Sequence, residues 1–240
     1  MQPGARAVAV RRGEHAAALV VAHRGAWGSA PQNSLAAFDA AVALGCDAIE
    51  LDVRRTADRR FVVVHDARVG GRPVARLEHH ELQARVPHGQ APQLEEVLEL
   101  VADRIGLDVE LKEDGHVEET MAIVSKHLAP DQYVITSFRD AVLPAVKRCV
   151  PESRTGLLLS PRRRLRDLER RVRDTEVDFL APHASLARGG LIDWAASRGL
   201  PSWVWTVNDP RVLRELLRDE RVAAIITDRP DRALGGFTSP

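Results

Sequence analysis

The segment Asp47–His65, DAIELDVRRTADRRFVVVH, decides how the rest of the chain is counted. It holds two apolar runs rich in β-branched residues, 47–53 and 61–65, with only Arg54 to Arg60 between them. That gap is too short for a crossover helix, and Thr56-Ala57-Asp58 supplies turn chemistry, since both polar side chains bond nearby backbone groups. The pair therefore reads as a β-hairpin whose first strand overshoots the rim of its sheet. With the turn near Asp58 and Arg59, Asp52 and His65 lie about equally far from it and return to the same height. Glu50 and Asp52 are two apart on the strand, so both point to one face.

Seven further apolar runs lie at 19–23, 105–111, 132–137, 154–159, 177–182, 202–207 and 223–227. Most gaps carry a helical pattern: Leu35, Phe38, Ala41, Val42 and Leu44 within Ser34–Leu44; Leu94, Val97, Leu98 and Val101; and Leu213, Leu216 and Leu217. Nine runs are one too many for an eight-stranded barrel until the hairpin is counted as one unit. The chain then reads as α/β, a TIM-type (β/α)8 barrel with a β-hairpin extension after the second strand. An open doubly wound sheet is the alternative, but no GxGxxG or P-loop pattern supports it. Residues 1–17 read as a flexible leader and 18–240 as a single barrel domain. Residues 66–93, punctuated by Gly70, Gly71, Pro73, Pro87, Gly89 and Pro92, form the longest irregular stretch and read as a loop or small insertion.

At 240 residues with 45% hydrophobic content, the chain can bury a sizeable core. Its 34 basic and 34 acidic residues cancel, so no global field favours nucleic acid or an anionic membrane. Arg162-Arg163-Arg164 and Arg170-Arg171 alternate with Asp167 and Glu169, as on a solvated helix face. Cys46 and Cys149 match no metal or nucleophile signature and read as buried thiols of a reducing compartment. Arg11 and Arg12 precede an apolar stretch, Ala16 to Ala22, that superficially suggests a signal peptide. It is short and runs straight into His23, so cleavage there would destroy the motif described next. No run reaches transmembrane length, and the expected location is cytoplasmic without stable membrane insertion.

Four clusters end or follow apolar runs: His23-Arg24-Gly25, Glu50-Leu51-Asp52, His65-Asp66 and Glu110-Leu111-Lys112. Charges inside apolar strands are costly unless paired or bound to a metal. Buried salt bridges would explain them, but three carboxylates need more positive charge than Lys112 alone brings. Oxygen ligands without cysteine favour Mg²⁺, Ca²⁺ or Mn²⁺ over zinc. A lone histidine at a strand end is usually structural; two at the rim that carries the carboxylates point to a proton-transfer pair. Asp66 could orient a histidine or cap the next loop. His183 is ambiguous, and the other histidines fall in loops or on polar helix faces.

On these motifs the chain resembles the glycerophosphodiester phosphodiesterases, members of the TIM-barrel phospholipase-C-like superfamily. The likeness covers about Leu19 to Pro230 and includes Thr56-Ala57-Asp58, Ser137-Phe138, Trp205-Thr206-Val207-Asn208 and Ile226-Thr227-Asp228. It implies hydrolysis of a small-molecule phosphodiester, a glycerophosphodiester in this family, to an alcohol and glycerol 3-phosphate. It implies one divalent cation, Mg²⁺ or Ca²⁺ with Mn²⁺ possible, on Glu50, Asp52 and Glu110. His23 and His65 are the implied acid–base pair, and Arg24 and Lys112 the implied phosphate grip. Trp205, Phe138 and Asn33 are candidates for the substrate pocket. The nucleophile stays open between water and a substrate hydroxyl that gives a cyclic phosphate first. A lysophospholipase-D-like activity and a non-catalytic phosphate receptor on the same barrel are the alternatives; neither nucleic-acid binding nor a particular oligomeric state is implied. One departure stands out: the family usually reads Pro-Glu-Asn-Thr where this chain has Pro31-Gln32-Asn33-Ser34.

Overall fold

The computed structural model describes residues 17–28, 30–86, 91–161 and 167–235. Eleven strands occur among them: β1 (Leu19–His23), β2 (Ala48–Arg55), β3 (Phe61–Val63), β4 (Arg68–Val69), β5 (Arg72–Pro73), β6 (Gly106–Leu111), β7 (Tyr133–Ser137), β8 (Arg154–Leu159), β9 (Phe179–Pro182), β10 (Ser202–Val204) and β11 (Val222–Thr227). Eight of these run parallel in the order β1-β11-β10-β9-β8-β7-β6-β2. The ring closes because β1 pairs with β11 on one side (Leu19 opposite Ala224) and with β2 on the other (Val21 opposite Ala48). The fold is the (β/α)8 barrel that the sequence predicts.

The hairpin extension is present as well. Strand β3 is antiparallel to the outer end of β2, with Val53 opposite Val63 and Arg55 opposite Phe61. Thr56 forms the turn: its Oγ1 donates to Asp58 Oδ1 at 2.6 Å and accepts from Arg60 N at 3.0 Å. Arg59 takes the left-handed backbone that closes it (φ 64°). The carbonyl of Asp52 accepts from Val64 N at 2.9 Å, so Asp52 and His65 do return to one level.

The alternation of the strands sorts side chains into two cores. On β2, Ile49, Leu51 and Val53 face the surrounding helices 35–44 and 94–101, while Ala48 faces the barrel axis. The axis is plugged below the mouth by Phe179 and Trp203, stacked with centroids 4.7 Å apart. Gly156 exists for that plug, because a Cβ there would lie 2.2 Å from the Phe179 ring. Chemistry is thereby confined to the carboxyl-terminal end of the barrel.

Several details differ from expectation. Helix Leu35–Leu44 buries Ala37, Phe38 and Ala41, but Leu35 and Leu44 at its two ends are 38% and 46% exposed. A ten-residue helix turns its terminal side chains away from the face its middle presents. Cys46 is buried, its thiol pushed up to about 12 by burial, but Cys149 is only half-buried. Of the two readings left open for the irregular stretch, a loop or a small insertion, segment 66–86 is the small insertion. It pairs β4 with β5 and packs Val74, Leu77 and Leu82 on Val62. Pro87 and Gly89, Arg162 to Arg164, and the leader apart from Ala17 lie outside the described residues.

Candidate active site

Strand β1 ends in a backbone turn that aims two functional groups. Arg24 and Gly25 both have positive φ (57° and 87°). At Gly25 a Cβ would meet the backbone of Ala37 at 2.8 Å, so the glycine is what lets the first helix close on the strand. Non-glycine residues pay to adopt a left-handed conformation. Arg24 is held in it by its amide, which reaches Glu50 O at 2.9 Å and Glu50 Oε2 at 3.0 Å. Asn33 also has positive φ, and its amide group donates to Asp52 Oδ2 at 2.8 Å. Ser34 caps helix 35–44, accepting from Ala37 N at 3.2 Å.

Glu50 and Asp52 on β2 and Glu110 on β6 are buried, and each offers an oxygen lying within 4.8 Å of the others. Lys112 Nζ sits 2.7 Å from Glu110 and 2.9 Å from Asp52, and Arg24 Nε is 3.1 Å from Asp52. Burial works to raise the Asp52 carboxyl, but Lys112 and Arg24 outweigh it and hold it at about 2. The two glutamates fare differently. Burial pushes Glu110 up to about 7 despite Lys112, and burial with the charges of Asp52 and Glu110 raises Glu50 well above the carboxylate range. Two cations do not balance the acids crowded here. A hard divalent ion fits this donor set of three buried carboxylates and supplies the missing charge.

A fourth acid stands just below. Asp108 is two residues before Glu110 on the same face of β6, fully buried, with Thr136 Oγ1 donating to its Oδ1 at 2.7 Å. Its Oδ2 has no partner, and burial pushes its carboxyl to about 7. The signal for it in the sequence is the spacing Asp108-Val109-Glu110, which puts both acids on one face of the strand.

Each histidine has a carboxylate on Nδ1, which fixes the proton there and leaves Nε2 for chemistry. His23 pairs with Asp228 Oδ1 at 2.6 Å, and Asn208 steadies that aspartate by donating to Oδ2 at 2.6 Å. His65 pairs with Asp66 Oδ1 at 2.8 Å. Arg54 donates to the His65 carbonyl at 3.0 and 2.8 Å and pairs with Glu113 at 3.2 Å. Desolvation lowers the His65 pKa, with Lys112 and Arg24 adding to it against the pull of Asp52.

A cavity of about 150 Å³ gathers these groups: His23, Arg24, Glu50, His65, Glu110 and Lys112 line it. Phe138 and Trp205 line it too, their rings edge-to-face at 5.5 Å. Asn33 does not; it borders a neighbouring groove and spends its amide on Asp52. His183 bonds Ser185 at 2.8 Å and packs its ring edge-on against Trp205.

A model of the glycerophosphoryl diester phosphodiesterase family matches residues 23–232. The Bacillus subtilis protein YhdW is 33% identical over 232 residues, covering 88% of this chain and 95% of that protein. A glycerophosphodiester phosphodiesterase of Caldanaerobacter subterraneus subsp. tengcongensis is 29% identical over 89% of this chain and 95% of its own. Among solved structures, an Oleispira antarctica phosphodiesterase in complex with the product sn-glycerol-3-phosphate superposes with a TM-score of 0.80. It is 25% identical, over 93% of this chain and 98% of that one. On the match across residues 23–232 and a relative 33% identical over nearly the whole barrel, the chain belongs to the glycerophosphoryl diester phosphodiesterase family and is one of its enzymes.

Proposed function

We propose that this enzyme hydrolyses a glycerophosphodiester to an alcohol and sn-glycerol 3-phosphate, with His23 and His65 moving the protons and a divalent cation bound by Glu50, Asp52 and Glu110. One observation carries the reading: two carboxylate-oriented histidines line the same small cavity as Glu50 and Glu110, two members of the buried three-carboxylate cluster. The product in the Oleispira antarctica structure agrees with it in kind.

Arg24 and Lys112 present positive charge to the cavity and hold a phosphoryl group. One histidine accepts the proton of the attacking hydroxyl and the other gives one to the departing alkoxide. Their dyads suit both roles, since a carboxylate on Nδ1 stabilises the imidazolium formed midway. Phe138 and Trp205 exclude water beside the glycerol carbons. A divalent cation held by Glu50, Asp52 and Glu110 would supply Lewis acidity to the phosphoryl group. Two unpaired cysteines accord with a cytoplasmic setting. Among the described residues no helix is long and apolar enough to cross a membrane.

The test is a panel of glycerophosphodiesters and lysophospholipids assayed with Mg²⁺, Ca²⁺ and Mn²⁺, scored by release of glycerol 3-phosphate. Turnover of glycerophosphodiesters that vanishes with chelator is the expected result. Turnover confined to lysophospholipids, or indifferent to chelator, would reject the reading.

A further inference from the structure

Beside the catalytic cavity lies a groove of about 940 Å³, bounded by the segment after β1 and by the inserted segment 66–86. His65 lines both spaces. A phosphodiester held in the small cavity faces a wall on one side, built of Phe138, Leu158, Trp205 and Ile226. On the other side it passes His65 into the groove. The volume there is that of a site for a small molecule, far more than a proton shuttle needs.

The groove carries more positive than negative charge, two arginines against the single carboxylate of Asp66. Arg68 and Arg85 line it. Their guanidinium groups donate to backbone carbonyls, of Gly71 and of Glu81 respectively, rather than directly to a carboxylate. Neither forms an ion pair with a carboxylate among the described residues. Glu81 is committed elsewhere, to Arg72 at 3.1 Å and to the Glu78 amide at 3.1 Å. Asp66, the acid of this wall, is committed to His65 at 2.8 Å. Gln32 borders the groove and adds no charge. Val63, Val69 and Val86 give it an apolar floor suited to a short carbon skeleton.

We propose, on the footing of the phosphodiesterase reading, that the groove receives the leaving alcohol and that Arg68 and Arg85 select alcohols carrying a further anionic group. In the reaction, the phosphorus–oxygen bond to that alcohol breaks and the alkoxide takes up a proton. A water molecule supplies the new oxygen on phosphorus and the proton in net balance. The anion recognised is a carboxylate or a phosphate on the leaving alcohol.

Two substrate pairs isolate that group. Glycerophosphoserine and glycerophosphoethanolamine differ by a carboxylate; glycerophosphoglycerol with and without a terminal phosphate differ by a phosphate. The ratio of kcat/KM within each pair is measured in the wild type and in R68Q/R85Q. The wild type is expected to prefer the anionic member of at least one pair by about tenfold, and the double variant by less than about twofold. Which pair responds identifies the anion. Equal rates within both pairs, or a preference that survives in R68Q/R85Q, overturn the inference while leaving the phosphodiesterase reading intact. Failure to hydrolyse any of the four overturns both. Should the variant not fold, the wild-type preference is followed with ionic strength. It should fall several-fold between about 0.02 and 0.5 M salt, as exposed charges are screened; a preference indifferent to salt overturns the inference.

Discussion

The two halves of the barrel mouth are chemically unlike. On β1, β2 and β6 the inward positions nearest the mouth are His23, Glu50, Asp52 and Glu110, with Lys112 just beyond. On β8 and β11, and just after β10, they are Leu158, Ile226 and Trp205. Strand β7 is the border, with Thr136 toward the acids and Phe138 just past its end toward the apolar wall. Charges buried singly would each pay desolvation in full. Crowded on adjacent strands, they share counterions, and the opposite wall keeps water away from them. The division separates the work: one half does chemistry on a phosphate, the other shapes the space around carbon.

If the division is real, the largest losses follow damage to the acidic half. Asp52→Asn or Glu110→Gln, like a chelator, should lower turnover by about 10³-fold or more. An ion soaked into crystals should touch oxygens of Glu50, Asp52 and Glu110. The sign of the pH dependence follows from Glu110, at about 7 in the metal-free fold against 4.5 for the free side chain. Between those values the folded state holds a proton that the unfolded chain has lost, so metal-free stability falls as pH rises. Metal binding releases that proton, so the gain in Tm from Mg²⁺ should be greater at pH 8 than at pH 6. A gain that shrinks with rising pH would place the ion elsewhere.

His23→Ala and His65→Ala come next, each lowering kcat by about 10²–10⁴-fold. The double variant should lose far less than the product of the two, because groups that act as a unit are not additive. Near-normal turnover in either single variant would break the pairing.

Within the charged half, the two dyads differ in exposure and so in expected cost. Asp228 is 22% exposed at its side chain and braced by Asn208, whereas Asp66 is 74% exposed. Asp228→Asn should lower kcat about 10–100-fold, the usual scale for a partner that orients a functional imidazole, and Asp66→Asn only a few-fold. Equal losses would mean that His65 depends on Asp66 more than its exposure suggests, and that Arg54 does little to hold the histidine backbone.

The sequence made the charged half legible and most of the support for it obscure. Strand-end clusters announce themselves because charge amid β-branched residues is costly. The hairpin was readable because seven residues cannot hold a crossover helix. Asp228 was visible only as part of a family segment, since its partner lies 205 residues away and meets it only when β11 closes on β1. Nothing local marks Arg24 as left-handed; that depends on Glu50 waiting across the sheet. Leu35 and Leu44 were misplaced because periodicity gives a direction for the face of a helix but not how far the face extends.

The apolar half should answer differently from the charged one. Phe138→Ala removes half-buried surface that lines the cavity. It should raise KM by about 3–10-fold with kcat held within about twofold, the signature of lost uniform binding. A collapse of kcat instead would mean that Phe138 positions the reacting groups, and the division of labour would fail.

The smallest effect concerns Gln32, on the boundary between cavity and groove. Its Oε1 accepts from Arg24 Nη1 at 2.7 Å, while Arg24 Nε stands 3.1 Å from Asp52. The amide thus orients the guanidinium as a carboxylate would, but leaves its charge to the substrate. In Gln32→Glu the new carboxylate would compete for that charge and put a negative group on the groove wall that Arg68 and Arg85 share. Both effects disfavour an acidic substrate relative to glycerophosphocholine. Because Gln32 is exposed, water screens most of the interaction, and a change of about 0.5–1 kcal/mol is expected, a two- to five-fold shift in the kcat/KM ratio. The geometry around Arg24 is preserved, so kcat for glycerophosphocholine should hardly move. An unchanged ratio would reduce Gln32 to a spacer that holds Arg24 in place, and selection by charge would then rest on the two groove arginines alone.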